Sequence, residues 1–127
     1  MKRITILAII LLLLAGIAYA KDHELTKEAG QYNIAVKIDK NPAVVGDNNV
    51  VIGITDASGH HVGDARVELY YFMPSMPSMN YTADARPEGD VYNATVKPTM
   101  PGDWDLEVKF TRPGEKGHKV TFSFKAE

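Results

Sequence analysis

The sequence contains no cysteine. That excludes disulfide bridges, a thiolate nucleophile, a lipidated cysteine and every metal site built on thiolates. There is one tryptophan in 127 residues. No GxSxG, HExxH or glycine-rich phosphate loop is present, and aspartates and glutamates are scattered rather than paired, so no catalytic constellation emerges and no small-molecule substrate is evident. Excess positive charge is lacking too. Lysine and arginine number 14 against 16 acidic residues, which gives no electrostatic footprint for nucleic acid. The chain reads as a non-enzyme.

What is present begins with "MKRITILAIILLLLAGIAYA". Lys2 and Arg3 precede a run from Ile4 to Ile17 interrupted only by Thr5 and Gly16, and Ala18-Tyr19-Ala20 supplies a small-x-small cleavage signal. This is the pattern of a secretory signal peptide cut after Ala20, which makes the protein exported, periplasmic or extracellular. An uncleaved membrane anchor is the alternative, since the run approaches spanning length. Without Lys2 and Arg3 the remainder holds 12 basic and 16 acidic residues, a net charge of −4. Residues 21–30, "KDHELTKEAG", are polar and read as a loose leader with at most one helical turn. Residues 31–127 form a single domain that must hold itself together by its core alone.

From Tyr32 onward the dominant period is two. Tyr32, Ile34, Val36 and Ile38 share one face; so do Val50, Ile52 and Ile54; Val67, Leu69 and Tyr71; Tyr92, Ala94 and Val96; Trp104, Leu106, Val108 and Phe110; and Val120, Phe122 and Phe124. Alternation with one wet face marks antiparallel strands. Turn signals rich in glycine and proline separate the runs. Six strands are clear, and a short seventh fits Met79 to Ala83. The expected fold is all-β, an immunoglobulin-like antiparallel β-sandwich of about seven strands.

One stretch admits two readings. "FMPSMPSMNY" places Met73, Met76 and Met79 three residues apart with Pro74 and Pro77 between them, and Met100 also precedes a proline. A polyproline II conformation has three residues per turn, so these methionines would project from one side with successive Cα atoms roughly 9 Å apart. Thioether sulfur is a neutral, soft ligand suited to Cu(I). Met73, Met76, Met79 and Met100 are therefore candidate ligands, with His60 and His61 as further candidates and His23 and His118 as other imidazoles. The alternative is structural: methionine fills irregular gaps and packs on aromatics, and the tandem histidines suit a polar turn. Asn80-Tyr81-Thr82 and Asn93-Ala94-Thr95 match the glycosylation sequon, a match common by chance.

The stretches "GQYNIAVKI", "NPAVVGDNNVVIGITDASGHHVGDARVELYYFMPSMPSM" and "GDVYNATVKPTMPGDWDLEVKF", in that order, resemble the YtkA-like domain family, which overlaps the FixH-like proteins. The resemblance runs from about Gly30 to Phe124. It implies an exported or membrane-anchored β-sandwich. Through the FixH-like branch it implies copper delivery to a respiratory oxidase, with Met73, Met76, Met79 and Met100 at the motif positions. FixH-like proteins usually keep a membrane anchor, whereas a cleaved leader is expected here. Two functions stand side by side: a Cu(I)-binding or copper-transfer protein with a copper-receiving or membrane-assembly partner, and a non-catalytic module that binds another exported protein.

Overall fold

The computed structural model describes residues 23–127. The expected leader cut after Ala20 lies outside the described residues. Eight strands follow one another: β1 His23–Ala29, β2 Tyr32–Ile38, β3 Asn48–Thr55, β4 Arg66–Met73, β5 Met76–Glu88, β6 Val91–Val96, β7 Gly102–Thr111 and β8 His118–Ala126. All ladders are antiparallel, in the order β1-β2-β3-β6-β5-β4-β7-β8. The long strand β5 joins two layers. It pairs with β4 along most of its length and with β6 only at Arg86, Pro87 and Glu88. The result is the all-β antiparallel sandwich expected from the alternation, curled until its two outer strands meet.

The inward faces are those read from the sequence. Ile34, Val36, Val50, Ile52, Ile54, Leu69, Val96, Trp104, Leu106, Val108 and Phe110 are essentially inaccessible to solvent and fill the space between the layers. Their burial is the main stabilising term of a domain without covalent cross-links.

The polar leader is not loose. Residues 23–29 form β1, paired with β2 from His23↔Ile38 to Ala29↔Tyr32 across a two-residue turn. Leu25 and Ala29 turn toward the core, and the exposed Lys27 between them hides the alternation. The Lys27 ammonium lies 5.7 Å from the Phe122 ring centre and donates to the Thr121 carbonyl at 2.5 Å. Its stem covers apolar surface while its head satisfies the open edge of β8. The same edge is closed further along by the β2–β3 loop. Ala43 N–H donates to Lys125 O, Glu127 N–H to Ala43 O and Val45 N–H to Glu127 O, at 2.8 to 3.1 Å.

That loop is held by Asn48, the one fully buried polar side chain among the described residues. Its Oδ1 accepts from Val44 N–H at 2.8 Å, and its Nδ2 donates to the carbonyls of Val44 and Gly46 at 2.7 and 3.0 Å. Gly46 sits at φ 106, where a side chain is disfavoured. The turn therefore depends on glycine and asparagine two residues apart.

At the far end, Arg112 ties three segments together. It donates from Nε to Asp64 Oδ1 at 2.8 Å and from a terminal nitrogen to the Tyr32 hydroxyl at 3.3 Å. Tyr32 in turn donates to Glu115 at 2.8 Å. The Arg112 hydrogen bond holds the Asp64 carboxyl below the usual aspartate range.

Two predictions follow from these contacts. Asn48→Ala leaves buried backbone groups unpaired and is expected to cost about 2–4 kcal/mol, seen as a lower urea midpoint at unchanged slope. A loss under about 0.5 kcal/mol would show that water replaces the amide. Because Asp64 is depressed in the folded state, its stabilisation is present above the ordinary carboxylate range. It is lost as pH falls through the lowered value. Asp64→Asn should flatten the acid limb of stability below about pH 4, measured as melting temperature against pH. An unchanged limb would assign acid unfolding to other carboxylates.

Candidate functional site

Strands β4, β5, β6 and β7 bring one set of chain ends together: the close of β4, the start of β5, the loop 97–101 after β6 and the start of β7. All four methionines of the described chain sit there. The prolines do not hold them in polyproline II. Met73 ends β4 and faces Met76, the first residue of β5, across the Pro74-Ser75 turn. The next regular pair is Phe72↔Asn80, so Pro77, Ser78 and Met79 bulge out of the ladder without partners on β4. Asn80 closes this bulge by donating from its amide to the carbonyls of Pro77 and Ser78 at 3.0 and 3.3 Å. Its side chain is therefore committed to the backbone.

This irregularity separates the methionines. Met73 continues the buried row Val67, Leu69, Tyr71 and is 5% exposed. Its Cε lies 2.8 Å from where a Cβ would stand on Gly102, which has φ 136. The positive φ favours glycine there, the Met73 methyl fills the space beside it, and Met73 is the plug the structural reading described. Met76 is 41% exposed. Met79 and Met100 are half-buried and pack against the core margin. The common face expected for Met73, Met76 and Met79 does not form, because the hairpin turn reverses the chain between the first two.

An aromatic cluster underlies the accessible methionines. Tyr71, Tyr81 and Trp104 have ring centroids 5.6, 6.0 and 6.2 Å apart. Trp104 is fully buried, and its indole N–H donates to the Met100 carbonyl at 3.0 Å. The Tyr71 hydroxyl accepts from Lys97 N–H at 3.0 Å. Burial pushes the Tyr71 phenol above its ordinary value, with the Lys97 bond opposing, so it stays protonated at neutral pH. Tyr81 donates to Met79 Sδ at 3.6 Å and lies 2.9 Å from Thr99 Oγ1. Met79 and the loop that carries Met100 are thus linked through one hydroxyl.

His60, His61 and His118 are elsewhere, while His23 begins β1 opposite Ile38. His60 and His61 lie in the β3–β4 connection, where His61 bridges to Thr55, and His118 pairs with Phe110 at the far end of β7. Eight residues of β7 separate Phe110 from Gly102, about 27 Å of strand. None of these three imidazoles can join the methionines on one ion. Nor do His60 and His61 share a partner: His60 lies 3.8 Å from Asp56 and His61 3.9 Å from Asp90. The Asp56 carboxyl caps its turn by accepting from His60 and Ser58 N–H, and the His60 bond above all holds it below the usual range. His118 stacks on Phe110 and meets Tyr32 edge-on. Among the described residues no group of three or more histidine, aspartate or glutamate side chains is arranged to hold a metal.

Sequence reasoning missed Thr99, Asn80 and Gly102. The alternation of Met79, Tyr81 and Ala83 marks Tyr81 as inward, yet nothing in it shows that Thr99 meets the phenol.

The different burial of the methionines has a measurable consequence. Met73→Ala is expected to destabilise the fold by about 2–4 kcal/mol. Met76→Ala should stay within about 0.5 kcal/mol. Urea denaturation of the two variants checks this, and equal costs would contradict the plug assignment.

The YtkA-like family profile matches residues 26–109. No curated protein matches the chain. The crystal structure of a DUF4426-family protein from Pseudomonas aeruginosa PAO1 is similar, with a TM-score of 0.56 at 12% identity over 80% of this chain and 93% of that one. At that identity the likeness extends to the fold alone. The profile spans the second half of β1 through nearly all of β7, including the methionine hairpin and the Trp104 loop, and on that match the chain belongs to the YtkA-like family.

Proposed function

We propose that this protein is an exported, non-catalytic Cu(I)-binding protein that carries or hands on copper through Met76, Met79 and Met100. The observation that carries the reading is the placement of these three methionines at one end of the sandwich, with Met79 and Met100 packed at the core margin near the Tyr71–Tyr81–Trp104 cluster. The donor set suits a soft monovalent cation. Three neutral sulfurs leave the ion its positive charge, and aromatic faces stabilise such a charge. The FixH-like resemblance of the same motif supports copper as cargo. Met73 does not fit the set, since exposing its sulfur would empty the core space beside Gly102.

Copper is the transported substrate here, and the protein's part is to present the sulfurs and release the ion. Half-buried ligands at a strand end allow a partner to approach and exchange ligands, which a fully enclosed site would prevent.

A second reading rests on a different observation. Val45 and Met76 are the exposed large hydrophobic residues among those described. Gly46 N–H donates to Pro98 O at 3.0 Å, which places Val45's loop at the methionine end. That end would then be a contact surface for another exported or membrane-assembly protein, with the methionines as apolar contacts.

Anaerobic Cu(I) competition against a chromophoric chelator separates the two. The copper reading expects one-to-one binding that is lost when Met76, Met79 and Met100 are all leucine and retained in Met73→Leu. It also expects affinity to stay nearly constant between about pH 5 and about pH 8, where an imidazole site would titrate. A folded wild-type protein that fails to compete would end the copper reading and leave the contact surface.

A further inference from the structure

The Tyr81 hydroxyl occupies an unusual position. A thioether has no proton, so in the contact with Met79 Sδ the phenol must be the donor. The phenol has only one proton, so the 2.9 Å contact with Thr99 Oγ1 is made by the threonine donating to the phenol oxygen. A directed chain results, from Thr99 to Tyr81 to Met79, in which each bond polarises the next. It crosses from the β6–β7 loop to the β5 bulge. Both ends of the chain are themselves fixed: the loop by Trp104 on the Met100 carbonyl, the bulge by Asn80 on Pro77 and Ser78.

We infer that Tyr81 is a positioning residue that pre-sets the Met79 sulfur for a soft cation, an inference that rests on the copper reading. Sulfur offers two lone pairs. The phenol engages one, holds the otherwise flexible side chain near a single arrangement, and leaves the other for the ion. Methionine has three rotatable side-chain bonds, and restricting them before binding lowers the cost of ordering them on binding. The packing of the Tyr81 ring between Tyr71 and Trp104 serves the fold. The hydroxyl is the part that serves the site, and Tyr81→Phe removes it while keeping the ring.

The test is a double-mutant cycle with Tyr81→Phe and Met79→Leu, read as Cu(I) affinity by chelator competition on the purified protein. Near-UV circular dichroism of Trp104 monitors the packing. Tyr81→Phe is expected to weaken Cu(I) binding about three- to tenfold with an unchanged tryptophan signal. In the Met79→Leu background the same change is expected to have no further effect. Wild-type binding with Tyr81→Phe equal to it, or an equal penalty in both backgrounds, would overturn the positioning role and leave the copper reading standing. No binding by the wild-type protein would overturn both.

Discussion

The indole N–H of Trp104 has to find an acceptor, because the ring is completely buried and an unpaired donor there is costly. The acceptor is the carbonyl of Met100, four residues earlier and outside the strand. Together with the bonds from Lys97 to Tyr71 and from Gly46 to Pro98, this bond fixes the loop between β6 and β7. The fixed loop presents Thr99 to Tyr81, and Tyr81 reaches the sulfur of Met79. Burying a large side chain in the core thus decides where the accessible thioethers stand. Core and site are built by the same contacts.

The strand faces were legible because period-two alternation reports directly on burial, and every row from Tyr32 to Phe122 points where the sequence indicates. What escaped were features set by partners distant in sequence. β1 was hidden because an exposed Lys27 interrupts the row between Leu25 and Ala29, and the open edge of β8 and the Phe122 ring hold that lysine. The methionine hairpin was misread because proline spacing suggests an extended helix, while the Asn80 amide stabilises a bulge that no local propensity encodes. The four methionines look equivalent in sequence. Gly102, nearly thirty residues on from Met73, is what makes one of them a core plug.

The two ends of the sandwich have divided their chemistry. At one end sit four thioethers and three aromatic rings. At the other sit Arg112, Asp64, Glu115 and the three imidazoles that the strand lengths keep away from sulfur. A protein that mixed the sets would present both soft and borderline ligands to any passing ion. Here the sulfur end offers neutral donors, and the charged network at the far end is spent on joining β2, the β3–β4 connection and the β7–β8 turn.

The seal on the edge of β8 also sets an order of events. Ala43 bonds to Lys125 and Glu127, and Lys27 reaches across 94 positions of sequence to Thr121. A chain delivered N-terminus first from a ribosome cannot make these contacts until its last strand has emerged. The early strands wait with an open edge, and contacts this distant are slow to form. Without disulfides, no covalent bond traps a partial fold. The edge of the sandwich is therefore closed only when β8 has joined it.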